Sequence, residues 1–392
     1  MFDRYVWKVL ADLEGAENLA KEMGGRFEPE VDSIYLGGGT PSVLSPDQLR
    51  TLFAGIRANF DVQRFSEITV ECAPGTLTPE IINALLTCGV NRVSLGVQSF
   101  TDEESRAVGR MHTREVALAD IARLRESGIT EISLDLIAGL PHQTTASWQR
   151  SLAETIATEV PHVSVYMLEV DDESRLGREL IAGGTRYHAH HVPNDDLVAD
   201  MYLEACATLN AAGVSQYEIS NFARDVVGTD TGDPDADPNA FPAHASLHNL
   251  KYWLRQPYLG FGVDAHSMLY APQRDEPHAS VRFATADSLD AVLANTPRTR
   301  TPVPERAAVE EAWFLGLRLN RGVELTRMAK EFGIESVERY RSQILDLQEK
   351  QLVELSDGFL RLTERGRLLS NDVFEQFIEP SLANALSPKL PA

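Results

Sequence analysis

The strongest constraint on the fold is the alternation of short β-rich segments with longer amphipathic segments between residues 32 and 219. Repeated strand and helix units predict an α/β fold with parallel strands and right-handed crossovers. The pattern is common to open sheets and barrels and does not choose between them. Six strand candidates recur in this region: DSIYLG (32–37), EITVE (67–71), RVSLGV (92–97), EISLDL (131–136), HVSVYM (162–167) and SQYEI (215–219).

Shifts in composition divide the chain into four parts. Residues 1–222 hold the strand and helix repeats, and residues 223–246, rich in Asp, Gly and Pro, predict an acidic flexible insertion. Residues 247–300 contain HNLKYW (248–253) and are interpreted as the remainder of the core. Residues 305–380 combine helical patterns with a hairpin that turns at Ser356-Asp357-Gly358. This last part predicts a small α+β, winged-helix-like domain.

The charge balance excludes some classes of function. Fifty-eight acidic and 36 basic residues give a formal net charge of -22, whereas a nucleic-acid-binding surface needs a basic face. No apolar run reaches the roughly 18 residues that a membrane span needs. The N-terminal residues lack the apolar core of a secretory signal. We therefore predict a cytoplasmic protein that does not bind nucleic acid and has no membrane span.

The segment IYLGGGTPS (34–42) places a glycine loop directly after the first predicted strand. Glycines allow a ligand to approach the main chain closely. The loop lacks the Gly-Lys-Ser/Thr ending of a phosphate-binding P-loop and the spacing of a dinucleotide fingerprint. Taken alone, it is explained equally well by a tight turn without a ligand. We single out Gly38, Gly39 and Thr40 as candidate ligand contacts.

Polar residues follow the next strands at the edge where ligands of parallel α/β folds bind. Glu71 ends the second predicted strand, Gln98 follows the third, and Asp135 lies near the end of the fourth. Arg110 follows soon afterwards and can pair with a carboxylate through two hydrogen bonds. Each residue singly is better explained as a partner of a neighbouring loop. Together they describe a site for a zwitterionic, nucleoside-like ligand.

Several motifs occur in the order and spacing of one known family, the radical S-adenosylmethionine (SAM) enzymes around oxygen-independent coproporphyrinogen III oxidase. The chain resembles this family over nearly its whole length, and HNLKYW (248–253) is similar to the HNxxYW box of its haem chaperones. The resemblance implies a partial (β/α)6 barrel with a small C-terminal domain. The motifs that carry it are IYLGGGTPS, ITVECAPGTLT, RVSLGVQSF, VGRMH, LDLIAGLPHQT, QYEISNFAR and LTERGRLLSNDVF.

The resemblance also implies roles for the candidate residues. The glycine loop would line the methionyl group of SAM, and the polar strand-end residues would complete the pocket. The SAM-binding set is Gly38, Gly39, Thr40, Glu71, Gln98, Arg110 and Asp135. His248 becomes a candidate axial ligand of haem iron, with Tyr252 and Trp253 available to stack on the macrocycle. A core histidine among packed aromatic residues explains the box equally well.

The sequence departs from the family at its iron–sulfur motif. Family members carry a CxxxCxxC loop whose thiolates hold a [4Fe–4S] cluster. Cys72, Cys88 and Cys206 do not have that spacing, so we expect no ligands for a cluster among the cysteines of this chain. The sequence begins at Met1, close to where the loop would end, which indicates either a start assigned too late or a degenerate member. The first is favoured because the pocket motifs are intact.

Three hypotheses for function follow from the resemblance. The first is a haem chaperone that binds haem and delivers it to an acceptor haemoprotein. The alternative is an oxygen-independent coproporphyrinogen III oxidase, which would need an electron donor for its cluster. The third is a scaffold without a cluster and without catalytic activity. The resemblance leaves open whether the protein is an enzyme and names no catalytic residue.

Overall fold

The computed structural model describes residues 1–169, 189–225, 240–272 and 280–379. Most of the predicted insertion at 223–246 lies outside these residues. Two compact units are present, one formed by Glu30–His248 and the other by Met1–Pro29 together with Asn249–Ala392. The sequence-based division had placed the first 29 residues with the barrel.

The strands of the first unit are β1 (Glu30–Leu36), β2 (Asp61–Cys72), β3 (Arg92–Gln98), β4 (Glu131–Ala138), β5 (His162–Met167), β6 (Val214–Gln216) and β7 (Asn221–Arg224). The strands of the second unit are β8 (His266–Tyr270), β9 (Ser280–Ala284), β10 (Thr299–Val303), β11 (Val323–Glu324), β12 (Val353–Ser356) and β13 (Phe359–Leu362).

The helices, in chain order, are α1 (Phe2–Glu14), α2 (Ala16–Met23), α3 (Pro46–Asn59), α4 (Pro79–Thr87), α5 (Asp102–Ala107), α6 (Arg114–Glu126), α7 (Thr145–Ala157), α8 (Asp195–Ala211), α9 (Leu247–Trp253), α10 (Leu289–Leu293), α11 (Glu305–Leu317), α12 (Leu325–Phe332), α13 (Glu335–Glu338), α14 (Arg341–Glu349), α15 (Glu364–Leu368) and α16 (Ser370–Glu375). Short 3-10 helices lie at Pro41–Val43 and Ala189–His191.

The unit Glu30–His248 contains one sheet of seven strands in the order β1-β2-β3-β4-β5-β7-β6. Strands β1 to β5 are parallel, as predicted, and most of the helices that join them begin at side-chain caps such as Ser45 on α3 and Thr78 on α4. Among the described strands, β1 and β6 are the two edges of the sheet, so the sheet does not close on itself, as a partial barrel requires.

The last strand of the sheet differs from the prediction. Residues 215–219 were predicted as a single parallel strand, but the chain turns after Gln216 and returns as β7, which is antiparallel to both β5 and β6. Glu218 stabilises the turn, since its buried carboxylate accepts a hydrogen bond from the Ser220 N–H at 2.9 Å. A carboxylate that satisfies main-chain donors locally competes with strand pairing.

Strands β1 to β5 alternate between an apolar and a polar face over residues 33–36, 67–72, 92–97, 131–136 and 162–165. Parallel neighbours in register share a face, so Leu95 pairs with Leu134 on one face and Ser94 with Ser133 on the other. The apolar face is buried. The opposite face carries Tyr35, Glu67, Thr69, Glu71, Arg92, Ser94, Glu131, Ser133, Asp135, His162 and Ser164. The inner side of the partial barrel is therefore polar from β1 to β5.

The second unit contains the N-terminal helices and two small antiparallel sheets. Leu19 and Ala20 of α2 pack against Leu269, Val281 and Phe283 in the sheet ordered β10-β9-β8. This apolar cluster explains why the first 29 residues group with this unit.

The C-terminal part of the second unit confirms the predicted small domain. Strands β12 and β13 form the expected hairpin, and Asp357 and Gly358 at its turn have positive φ angles of 53° and 79°. Strand β11 adds a third strand, and Trp313, Tyr340 and Phe377 form an aromatic core beside it. Among the described residues, no helix is long and apolar enough to cross a membrane.

Candidate functional site

The glycine loop after β1 is shaped by close contacts on one side and open space on the other. A Cβ on Gly37 would lie 2.5 Å from the Tyr35 ring and 2.7 Å from Oε1 of Glu71, so only glycine fits there. Gly38 has φ +76°, and neither it nor Gly39 has an atom within 4 Å of its Cβ position. Thr40 precedes the 3-10 helix but its side chain does not cap it. The loop thus offers main-chain groups to a ligand.

Glu71 connects this loop to the polar face of the sheet. Its Oε2 accepts a hydrogen bond from the Gly38 N–H at 3.2 Å, and its Oε1 accepts one from the Tyr35 hydroxyl at 2.7 Å. Burial raises the pKa of Tyr35 well above its usual value, with a further contribution from Glu71, so Tyr35 remains a neutral donor. The carboxylate of Glu71 is therefore held in place by donors on two sides.

Asp135 is a second carboxylate on the same face, two strands away. Its Oδ2 accepts a hydrogen bond from Ser94 at 2.9 Å. Desolvation raises the pKa of Asp135 to about 6, Glu71 adds to the rise, and hydrogen bonds from Ser94 and Ser164 oppose it. The Glu71 charge therefore disfavours ionisation of Asp135, and a cation placed between the two carboxylates would relieve this repulsion.

Gln98 and Arg110 lie together at the end of β3. A Cβ on Gly96 would lie 3.0 Å from Nε2 of Gln98 and 3.8 Å from Nη2 of Arg110. Gln98 is buried and has a φ of +66°, a left-handed conformation that is uncommon for a residue with a side chain. Such strain is found where surrounding structure fixes a residue, often at functional sites.

Within the part of the chain that the structure describes, Glu71, Asp135 and Arg110 lack direct ion-pair partners. There, Glu71 and Asp135 form no ion pair within 4 Å, and the guanidinium of Arg110 has neither an ion pair nor a hydrogen bond. Two carboxylates and one guanidinium complement a ligand with a carboxylate and more than one positive group. SAM, with a sulfonium, an ammonium and a carboxylate, has this distribution, so the residues fit the cofactor that the sequence predicts.

His248 lies on the same unit, at the start of α9. Its Nδ1 is 3.0 Å from the Ser33 hydroxyl, and its ring stacks on Tyr35 with centroids 4.9 Å apart and an interplanar angle of 21°. Metal-ligating histidines usually have their second ring nitrogen held by such a hydrogen bond. When Nδ1 donates to Ser33, Nε2 carries the lone pair that can bind iron.

Glu67 fixes the main chain that carries His248. Its carboxylate accepts hydrogen bonds from the Leu247 N–H at 2.9 Å, from the His248 N–H at 3.0 Å and from the Ser246 hydroxyl at 3.2 Å. An acid at a helix N-terminus satisfies main-chain donors that the helix itself leaves unpaired. Arg92 lies 3.8 Å from Glu67 and balances its charge in this buried setting.

Tyr252 and Trp253 are held by contacts within the second unit. Tyr252 packs edge to face on Tyr258 at 4.7 Å, and the Arg318 guanidinium lies 4.2 Å from the centroid of the Trp253 ring. These contacts give both aromatic residues a packing role. Their predicted stacking on a macrocycle stays a prediction.

The cysteines do not fit an iron–sulfur cluster. Cys72 and Cys88 are buried, and burial raises the pKa of the Cys72 thiol to about 12, away from the thiolate that iron needs. Cys206 lies in the middle of α8. Within the described ranges, no group of three His, Cys, Asp or Glu side chains could hold a metal ion.

Comparison with known proteins agrees with this geometry. Residues 4–154 match the Radical SAM superfamily, and residues 303–369 match the HemN C-terminal domain. The chain is 31% identical to the haem chaperone HemW of Lactococcus lactis over 92% of this chain and 88% of that protein. It is 33% identical to the haem chaperone HemW of Bacillus subtilis over 90% of this chain and 86% of that protein.

This chain belongs to the HemW family. A solved structure of coproporphyrinogen III oxidase (HemN) from Escherichia coli, described as a radical SAM enzyme, has the same fold, with a TM-score of 0.74. It is 22% identical and covers 96% of this chain and 83% of that one. Membership of the HemW family confirms the predicted resemblance, and the shared fold confirms the partial barrel with its smaller C-terminal domain.

Sequence reasoning missed the residues that support the site. Ser33, Tyr35 and Glu67 hold His248, and Ser94 holds Asp135. Strict alternation within the predicted parallel strands was a usable signal, because parallel strands buried on both faces are normally apolar throughout. A polar residue at every second position indicates a polar interior before any ligand is considered.

Proposed function

We propose that this protein is a haem chaperone that binds haem through His248 and delivers it to an acceptor haemoprotein. The observation that carries the proposal is the setting of the His248 ring, which is held by Ser33 and stacked on Tyr35. Restraint of both position and rotation reduces the entropy that a histidine loses when it binds a metal. The HemW relatives at 31% and 33% identity support the same function.

SAM would occupy the neighbouring strand-end site. Gly38, Gly39 and Thr40 would contact its methionyl group through the main chain. Arg110 and Gln98 would bind the carboxylate, and Glu71 with Asp135 would face the positively charged groups. When bound with an electron source, SAM supplies radical chemistry to the superfamily. The residues of this chain would bind and orient SAM. Arg110 would favour a cation that also carries a carboxylate over one that does not.

Coproporphyrinogen III oxidase activity is the alternative, favoured by the shared fold and by the HemN C-terminal domain. A direct comparison of ligands separates the two functions. Purified protein is titrated under anaerobic conditions with haem and, separately, with coproporphyrinogen III. The chaperone proposal predicts 1:1 haem binding with a shifted Soret band and much weaker binding of coproporphyrinogen III. Preferential binding of coproporphyrinogen III would overturn it in favour of the oxidase.

A further inference from the structure

Tyr35 touches both candidate sites at once. Its ring stacks on His248 at 4.9 Å, and its hydroxyl donates to Glu71 at 2.7 Å. The other oxygen of Glu71 accepts the Gly38 N–H at 3.2 Å. A chain of direct contacts therefore leads from the glycine loop through one carboxylate and one phenol to the imidazole.

The packing around Tyr35 leaves this chain little freedom to adjust independently. A Cβ on Gly37 would overlap both the Tyr35 ring and Glu71, so these two side chains meet the loop backbone directly. On the other side, Ser33 holds the His248 ring through Nδ1, and Glu67 holds the main chain of His248 by accepting its N–H. A change in the position of Glu71 therefore moves Tyr35, on whose ring the His248 ring stacks.

We propose that Tyr35 couples the two sites, so that SAM bound at the glycine loop tightens haem binding at His248. This inference rests on the proposed function. A ligand that orders the Gly38 loop and fixes Glu71 also restrains Tyr35, and haem then loses less conformational entropy when it binds the restrained imidazole. Linkage requires the reverse effect to be equal: haem tightens SAM binding by the same factor.

The sharpest variant is Tyr35→Phe, which keeps the stacked ring and removes the hydroxyl that donates to Glu71. Haem dissociation constants are measured for the full chain without SAM and with saturating SAM, and the ratio of the two is the coupling. We expect a ratio of about 5 to 10 in the wild type, within the usual range for allosteric coupling. In Tyr35→Phe the ratio should fall to about 1.

Two controls make the result specific. Tyr202→Phe removes another buried tyrosine hydroxyl, which donates to the Ile219 carbonyl, and it should keep the wild-type ratio. Titration of SAM with and without haem should give the same ratio as titration of haem. Thermal unfolding of each variant verifies that it is folded, and Tyr35→Leu, which also removes the stacked ring, provides a second test of the lost coupling.

The outcomes separate this inference from the function on which it rests. If SAM and haem both bind but the wild-type ratio is 1, or if Tyr35→Phe keeps the wild-type ratio, the coupling is overturned and the chaperone proposal stands. If the wild type does not bind haem, the proposed function itself fails.

Discussion

Nη1 of Arg92 lies 3.8 Å from Oε2 of Glu67 on the inner face of the sheet, and both residues are buried, with exposures of 4% and 8%. Glu67 also accepts the hydrogen bonds that start the His248 helix. Loss of one partner leaves the other charge buried and unpaired, which is more costly than loss of an exposed pair. The stability of this segment therefore depends on Glu67.

We expect Glu67→Ala to lower the free energy of unfolding by about 3 kcal/mol, because a buried charge and two main-chain donors lose their partner. The measurement is urea-induced unfolding. Glu17→Ala removes a carboxylate from the exposed pair with Lys21 and should cost less than about 1 kcal/mol. Equal costs for the two variants would show that Glu67 does not support the segment.

The affinity for SAM should depend on pH through Asp135. Only the ionised carboxylate attracts a cation, and its pKa is raised to about 6. The dissociation constant for SAM should therefore rise roughly tenfold between pH 7.5 and pH 5, as about nine-tenths of Asp135 becomes protonated. Asp135→Asn should bind SAM weakly and with a flat profile, as measured by isothermal titration calorimetry. An equally steep profile in the variant would assign the titration to another group.

The same raised pKa has a consequence for stability with the opposite sign. The folded protein holds the Asp135 proton more tightly than the unfolded chain, so this group's contribution to stability falls as pH rises from about 4 to about 6. Above that window, Asp135→Asn should stabilise the SAM-free protein by on the order of 2 kcal/mol. Thermal unfolding at pH 7.5 and pH 4.5 measures this, and a stabilisation equal at both pH values would contradict it.

Arg110 should recognise the carboxylate of SAM specifically. We expect Arg110→Ala to weaken SAM binding by about 10- to 100-fold, the loss typical of a charge-assisted hydrogen-bond pair. Binding of 5′-methylthioadenosine, which lacks the amino-acid carboxylate, should change little. Arg106→Ala, which removes an exposed guanidinium from the neighbouring helix, is the matched control. An equal loss of affinity for SAM and for 5′-methylthioadenosine would show that Arg110 does not bind the carboxylate of SAM.

Adjacent glycines offer a test of the loop geometry. Gly37→Ala should disrupt SAM binding and lower the melting temperature, because its methyl group would overlap the Tyr35 ring and Glu71. In the SAM-free protein, Gly38→Ala meets open space and should lower the free energy of unfolding by only about 1 kcal/mol, because of its positive φ. Melting curves of the SAM-free variants compare their stabilities, and curves with SAM report binding. If Gly38→Ala were the less stable of the two without SAM, the open side of the loop would have been assigned wrongly.

Features of the structure that depend on local sequence patterns could be predicted, whereas features that depend on contacts between distant residues could not. Five of the six predicted parallel strands, the amphipathic segments between them and the hairpin at Ser356-Asp357-Gly358 depend on local patterns, and they were predicted. The strand-end residues Glu71, Gln98 and Asp135 could be named because parallel strands place their carboxyl ends at one edge. The turn at Glu218 was missed because the hydrogen bond of its buried carboxylate to the main chain is not visible in strand propensity.

Long-range contacts account for the rest. Ser33 and His248 are separated by 215 positions, and no local pattern indicates that they meet. The N-terminal helices were likewise assigned to the barrel because they precede it, whereas Leu19 packs against strands from the second half of the chain. Such pairings depend on the tertiary fold and are accessible only from the structure.

A haem titration of three proteins, the wild type, His248→Ala and His190→Ala, decides whether His248 is the haem ligand. His190 lies exposed in the 3-10 helix Ala189–His191 and controls for nonspecific coordination by surface histidines. We predict that the wild type and His190→Ala give the same Soret shift and the same dissociation constant. His248→Ala should lose the shift and bind haem at least about tenfold more weakly, as expected when a metal–ligand bond is removed. An unchanged spectrum and affinity in His248→Ala would contradict the assignment of this residue as the haem ligand.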